Sequence, residues 1–204
     1  MQDTVKDILE YIWPMIVIVV TIISSIRIVY LITYKDKNFK LYEELIHLSF
    51  IIYILSLFYV VTFQDVNYGT SNFTFFKEMF RYEIGSPLFI KNVLGNILLF
   101  IPLGFYISHY LKSDKILFPF IIIVLSSVTI EFTQLKIGRV FDVDDILLNI
   151  VGGIIGYLFY KSLKHLPKFT QKTWFLNVIS IIMVVGFIFY LLSIYKIIKI
   201  GWLI

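Results

Sequence analysis

Six long apolar runs constrain the fold of this chain more than any other feature of its sequence. A helix needs about 20 mostly apolar residues to cross the hydrocarbon core of a bilayer. The runs are Tyr11–Thr33, Leu45–Phe63, Val93–Leu111, Ile116–Leu135, Ile146–Tyr160 and Trp174–Tyr195. The sequence therefore predicts an all-α, polytopic integral membrane bundle of about six transmembrane helices, which forms one membrane domain over residues 1–204.

The composition agrees with this class and excludes several others. Of the 204 residues, 59% are hydrophobic and 16% are charged, whereas a soluble domain has about 45–50% apolar and about 25% charged residues. The chain has no cysteine, which excludes disulfides, thiol catalysis and cysteine zinc sites. Its three histidines are scattered, so we expect no metal site and no cofactor. The partners we expect are membrane lipids, and we expect no nucleic acid.

One connection between the runs is long and extends over residues 64–91. Aromatic and basic residues within it follow helical spacing, namely Phe73, Phe76 and Phe80, with Lys77 and Arg81. This pattern predicts a short helix that lies in the membrane interface, and a plain loop is the alternative.

Three polar stretches lie at the ends of apolar runs. They comprise Asn92 and Asn96 at the third run, Glu131 and Gln134 near the end of the fourth, and Asp142, Asp145 and Asn149 entering the fifth. Residues three or four apart share a helix face. Because adjacent spans alternate in direction, all three stretches reach the same membrane surface, where Arg139 lies in the joining loop. We expect them to form one ligand-binding site, with Arg139 as partner of Glu131, Asp142 or Asp145.

The short fifth run strengthens this expectation. Ile146–Tyr160 rises only about 22 Å at 1.5 Å per residue, which is less than the roughly 30 Å hydrocarbon core. Either the membrane becomes thinner there or Asp145 lies below its surface. A charged side chain at the bilayer centre costs about 2.5–3.5 kcal/mol on insertion scales, so such residues usually serve a function.

A structural interpretation of the same residues is also open. Asp144 and Asp145 suit the positive N-terminus of a helix. Gly152, Gly153 and Gly156 allow helices to pack closely, and the first and last of them form a GxxxG pattern. For Glu131, Arg139, Asp142 and Asp145 taken together we favour a functional site, and these four are the candidate catalytic residues.

The same region resembles the VanZ-like family. The resemblance rests on the run Asn92–Phe105 (NVLGNILLFIPLGF), followed in order by Glu131-Phe-Thr-Gln134, Arg139, Asp142-Val-Asp144-Asp145, Asn149 and Gly152-Gly153. It covers about Leu45–Tyr160, and its core motifs lie within residues 92–156. The family is named for a protein of glycopeptide-resistance clusters that gives low-level resistance to teicoplanin and related lipoglycopeptides. The resemblance therefore implies a cell-membrane protein of the Gram-positive envelope, but it names no reaction.

Three functions are compatible with these features. The first is binding or shielding, at the outer leaflet, of a lipid-linked cell-wall precursor or a lipoglycopeptide, with phosphate contacts from Lys77, Arg81, Lys91 and Arg139. The second is an integral membrane enzyme whose carboxylates act as general acid and base or hold Mg²⁺ against a lipid head group. The third is a small transporter with a proton relay, which the absence of repeated halves disfavours.

The distribution of basic residues predicts the orientation. Ten of the 18 lie on one side of the predicted spans, and four of these ten lie within residues 161–172. Cytoplasmic loops carry an excess of lysine and arginine. We therefore expect this side in the cytoplasm, and Arg139 with the polar stretches on the extracellular side.

A cysteine introduced at Lys136 tests this orientation. We expect a membrane-impermeant thiol reagent to label it on intact cells, because Lys136 lies on the side predicted to be extracellular. The chain has no native cysteine, so the background is low. Labelling that occurs only after lysis would reverse the orientation.

Overall fold

In the computed structural model, which describes residues 2–34, 39–63, 71–77, 81, 83 and 85–194, every regular element is helical. The helices are α1 (Gln2–Tyr34), α2 (Leu41–Phe63), α3 (Pro87–Phe89), α4 (Gly95–Leu111), α5 (Leu117–Lys136), α6 (Val143–Lys164) and α7 (Thr173–Ile194). A π-helical turn, Ile90–Leu94, joins α3 to α4 without a break.

Five of the described stretches are long and apolar enough to cross a membrane. They are Ile12–Thr33, Leu41–Thr62, Pro87–Leu111, Leu117–Lys136 and Val143–Lys164. The sixth predicted span corresponds to α7, whose searched portion is a shorter apolar helix, Thr173–Gly186; Tyr195 lies outside the described residues. The all-α membrane bundle predicted from the sequence is confirmed.

Polar and apolar side chains are distributed in the way expected of a protein surrounded by lipid. Large apolar side chains such as Phe118, Leu125 and Leu158 are exposed, whereas Ser127 and Glu131 are buried. In water such an exposed apolar surface is a liability. In lipid it is the favourable arrangement, since polar groups must find their partners inside the protein.

The chain divides into two compact units, one with α1, most of α2 and α7, and the other from Val60 to His165. In the first unit Arg27 of α1 donates hydrogen bonds from Nε and Nη2 to Glu44 Oε1 of α2, at 2.9 and 2.7 Å. The backbone N–H of Tyr42 in α2 donates to Asn177 Oδ1 of α7 at 3.0 Å. These hydrogen bonds join the three helices of the unit.

In the second unit α4 and α6 run in the same direction and approach so closely that only glycine fits at their contact. A Cβ atom on Gly152 would overlap the carbonyl oxygen of Ile97, and one on Gly156 would overlap that of Ile101. Gly104 of α4 packs as tightly against the backbone of α6. Small residues of this kind allow the backbones of membrane helices to touch.

Helix α5 runs antiparallel to α6 and contacts it through a buried stripe. The stripe has four-residue spacing and consists of Pro119, Ile123, Ser127 and Glu131. The side chain of Ile123 packs onto Gly153, where a Cβ atom would clash with it. The antiparallel direction brings Glu131 to the N-terminal end of α6.

The connection before α3 forms a turn through Phe76 rather than the interfacial helix predicted over residues 73–81. Phe76 has a φ of +64°, in the left-handed region. The backbone of Asn72 pairs on either side of Asp142 at 2.9 and 3.1 Å, as a single parallel bridge. These long-range hydrogen bonds hold the backbone beside α6 and override the local helical spacing. Residues 78–80 lie outside the described part of the chain.

Helix α6 is longer than the predicted span Ile146–Tyr160. Its 22 residues rise about 33 Å, enough to cross a roughly 30 Å core without thinning of the membrane. The additional turns carry acidic residues at the N-terminus and lysines at the C-terminus, which is why hydropathy underestimated the helix. Asp145 lies in its first turn.

The far end of α6 is tied to the loop between α4 and α5. Lys164 Nζ donates to Asp114 Oδ1 at 2.7 Å, and the hydroxyl of Tyr157 donates to the backbone oxygen of Asp114 at 2.8 Å. The hydrogen bond from Lys164 lowers the pKa of the Asp114 carboxyl below its ordinary value. Asp114 is thus an exposed carboxylate at the end of the unit opposite Glu131.

Close packing of α4 on α6 predicts a position-specific effect of added methyl groups. We expect Gly152→Ala and Gly156→Ala each to lower the free energy of unfolding by about 1–3 kcal/mol, because overpacking displaces backbone. Gly186→Ala in α7 is the matched control, since nothing lies within 4 Å of its Cβ position. Thermal unfolding in detergent measures all three. Equal stability of the three variants would contradict the α4–α6 contact.

Candidate functional site

The candidate site is built on the N-terminal end of α6. Asp142 is the N-cap residue, with φ −132° and ψ 117°, and its Oδ1 accepts a hydrogen bond from the backbone N–H of Asp144 at 2.9 Å. Asp144 and Asp145 follow in the first turn. A helix N-terminus presents free N–H groups and a partial positive charge, so it stabilises carboxylates.

Glu131 of α5 completes this acidic group from the neighbouring helix. It is only 2% exposed, and its Oε2 accepts from the backbone N–H of Asp142 at 3.0 Å. The side-chain amide of Gln134 is placed in the orientation that satisfies both of its polar atoms. In this orientation the Gln134 nitrogen donates to Glu131 Oε1 at 2.9 Å. Both oxygens of this buried carboxylate therefore have a donor, as burial in the membrane requires.

Arg139 does not form the ion pair that the sequence predicts. Its Nη1 donates to the backbone oxygen of Val61 at 3.0 Å and to the amide oxygen of Gln134 at 3.1 Å. Among the described residues it forms no salt bridge, because the Gln134 amide lies between the guanidinium and Glu131. The partnership of Arg139 with Glu131 is therefore indirect, and Gln134 is the bridge between the two charged groups.

The connection before α3 covers this acidic group from outside the helices. Asn72 Nδ2 donates to Asp142 Oδ1 at 2.9 Å, and the backbone N–H of Phe76 donates to Asp144 Oδ1 at 2.5 Å. Asp144 is consequently buried, at 1% exposure. Neither Asn72 nor Asp144 was among the site residues predicted from the sequence. Asp144 stood in the quoted motif, but no local pattern marks Asn72, which is 70 residues away from Asp142.

Asp145 faces α4. Its Oδ1 accepts from Asn96 Nδ2 at 2.6 Å, and this is its only hydrogen bond within the described residues. Asp145 and Asn96 are both half-buried. Asn92 is also half-buried, four residues earlier in the π-helical turn, and its side chain makes no hydrogen bond in the described part of the chain.

Asn149 lies one helical turn deeper along α6. Its Nδ2 donates to Ser127 Oγ of α5 at 3.0 Å, and both residues are buried. Its Oδ1 is buried without a hydrogen-bond partner among the described residues. Ser127 was not among the predicted site residues. It lies four residues before Glu131, and this spacing places the two on the same face of α5.

Aromatic side chains form a rim beside these polar residues. Phe141 stacks on Phe73 at a centroid distance of 5.4 Å and contacts Phe132 at 5.6 Å. Phe73 and Phe132 are exposed. Each of the three is adjacent in sequence to a polar residue of the site, so the aromatic rim lies directly beside the polar group.

The structure thus brings most of the predicted site residues into contact. Glu131 accepts hydrogen bonds from the Asp142 backbone and from Gln134, and Gln134 accepts one from Arg139. Two separate hydrogen bonds join Asn96 with Asp145 and Asn149 with Ser127, and the Asn92 side chain makes none among the described residues. Gly152, Gly153 and Gly156 make the helix contacts described above. No group of three histidine or carboxylate residues suited to a metal ion occurs in the described chain. The arrangement presents carboxylate and amide oxygens, which accept hydrogen bonds or protons.

The N-cap of α6 predicts different effects of two substitutions at Asp142. We expect Asp142→Ala to lower the free energy of unfolding by about 0.5–2 kcal/mol, because the Asp144 N–H and the Asn72 amide lose their acceptor. Asp142→Asn is the matched control, since it retains an acceptor oxygen. Hydrogen exchange of the first turn of α6, read by mass spectrometry, checks this. If the amides of the first turn are equally protected from hydrogen exchange in both variants, the Asp142 cap does not stabilise this end of the helix.

Comparison with known proteins places the chain in a family. No curated protein matches it, and neither does any solved structure. A family model described as VanZ/LLP1 matches residues 50–166, more than half of the chain, close to the 45–160 expected from the motifs. This match contains all of the site residues on α4, α5 and α6, and the chain belongs to the VanZ-like family.

Proposed function

We propose that this VanZ-like membrane protein lowers susceptibility to teicoplanin-type lipoglycopeptides by binding or shielding a lipid-linked ligand at the outer leaflet. One observation carries the proposal: hydrogen-bonding side chains from three apolar helices gather at one end of the bundle, beside an exposed aromatic rim. Such a site suits an amphiphile with a polar head group and an apolar chain. The ligand is a lipid-linked cell-wall precursor or the lipoglycopeptide itself.

The membrane location explains why the acyl tail of the drug matters. Each buried CH₂ of an acyl chain contributes about 0.8 kcal/mol to membrane binding. A tailed lipoglycopeptide is thereby concentrated in the layer that the site faces. Vancomycin has no such tail, so it gains little from an encounter with a membrane-embedded protein.

Susceptibility measurements test this function. In a susceptible host, we expect the wild-type protein to raise the inhibitory concentration of teicoplanin more than that of vancomycin. Glu131→Gln, Arg139→Ala and Asp145→Asn should each abolish the effect, because each removes a charge from the site. Asp114→Asn at the opposite end is the matched control and should retain full protection.

Membrane abundance has to be measured for every variant. Removal of one partner of a buried charged pair can cost about 3–5 kcal/mol and deplete the protein altogether. Equal protection against both drugs would eliminate the role of the tail. Full protection by all three site variants at normal abundance would eliminate the site.

An enzyme that modifies a lipid head group is the second candidate. The observation that favours it is the hydrogen bond from the Asp142 backbone to Glu131, which holds a buried carboxyl group against the acidic N-terminus of α6, and carboxyl groups can act as general acid or base. Purification with bound lipid separates the candidates. Conversion of that lipid during incubation indicates an enzyme, and its unchanged recovery indicates a binding protein.

A further inference from the structure

We propose that the inner end of the site binds the primary ammonium group of an amphiphile rather than a phosphate. This inference rests on the proposed function, because it names the chemical class of the ligand at the same site. It concerns Asp145 of α6, whose partner Asn96 lies on α4, together with Asn149 one turn deeper on α6 and Asn92 four residues before Asn96.

Two carboxylates at the site form no direct ion pair within the described chain. Within the described residues Glu131 accepts only from the Asp142 N–H and the Gln134 amide, and Asp145 accepts only from Asn96. Arg139 donates its hydrogen bonds to a backbone oxygen and to Gln134. A phosphate would bring further negative charge to a group of carboxylates that has one guanidinium nearby and no direct ion pair among the described residues. A cation would supply the positive charge that these carboxylates lack in direct contact.

The Asp145 carboxylate offers acceptor capacity to a ligand. Asp145 is half-buried and is engaged only by Asn96 among the described residues, so its carboxylate has capacity for further donors. Asn92, one turn nearer the end of the bundle, has an amide without a partner in that part of the chain. An ammonium group carries three donors and no acceptor, which matches this surplus.

The buried amide of Asn149 is an independent sign of a missing donor. It lies four residues after Asp145 on the same face of α6 and is only 3% exposed. Its nitrogen is occupied by Ser127, and its oxygen has no donor among the described residues. Buried polar atoms are nearly always hydrogen-bonded in folded proteins, so a donor on a bound ligand would complete the hydrogen bonding of this oxygen.

Binding of three octyl probes to the purified full-length protein in phosphatidylcholine nanodiscs tests this assignment. The probes share a tail and differ in their heads: octylammonium, octyl phosphate and octyl glucoside. By calorimetry we expect octylammonium to bind about tenfold or more tightly than either of the others, as expected for a charge-assisted hydrogen bond. Asp145→Asn should remove this advantage, whereas Asp114→Asn, an exposed carboxylate at the opposite end, should keep it.

Each outcome decides the proposal. Octyl phosphate that binds as tightly as octylammonium overturns it, and equal binding of octyl glucoside shows that hydroxyl donors suffice and also overturns it. If Asp145→Asn does not fold, the comparison of the three probes on the wild-type protein still tests the proposal. Loss of drug protection with intact octylammonium binding would reject the proposed function alone. Intact protection without an ammonium preference would reject only the ligand class.

Discussion

The close approach of α4 and α6 is the constraint on which the site depends. Backbone contact at Gly152 and Gly156 fixes the register of the two helices, because any side chain there would meet a carbonyl group of α4. In that register the amide of Asn96 reaches the carboxylate of Asp145, one to two turns towards the end of the bundle. In lipid the hydrophobic effect does not drive helices together, so close packing and interhelical hydrogen bonds have to hold the unit.

At the N-terminus of α6, carboxylates inside a membrane protein receive the hydrogen-bond donors that they need. Asp142 caps the helix, Asp144 accepts from the Phe76 backbone, and Glu131 accepts from the Asp142 N–H. Each acceptor thus satisfies a backbone donor that a helix start or a turn leaves free. The connection before α3 is therefore part of the site, since Asn72 joins it to Asp142. Asp145 is the carboxylate that this arrangement leaves available to a ligand.

Much of the fold and part of the site could be predicted from local patterns. Apolar runs identified the membrane helices, and the alternating direction of successive spans placed Glu131 and Asp145 at the same end of the bundle. Local patterns failed where distant residues intervened. The aromatic spacing over residues 73–81 predicted a helix, but pairing with the segment around Asp142 imposes a turn. Likewise the loop position of Arg139 suggested a direct ion pair, but the amide of Gln134 occupies the intervening space.

The sequence by itself determined the class of the protein, the location of its membrane helices and its membership of the VanZ-like family. These properties depend on neighbouring residues, since the transfer of a helix into lipid and its internal hydrogen bonds involve only residues along one run. The tertiary structure alone decided which donor each carboxylate received. The pairing of Asn72 with Asp142, and the Asn149 oxygen that has no donor among the described residues, both arise from how separate segments meet. Their geometry follows from how closely the helices pack, which no local spacing encodes.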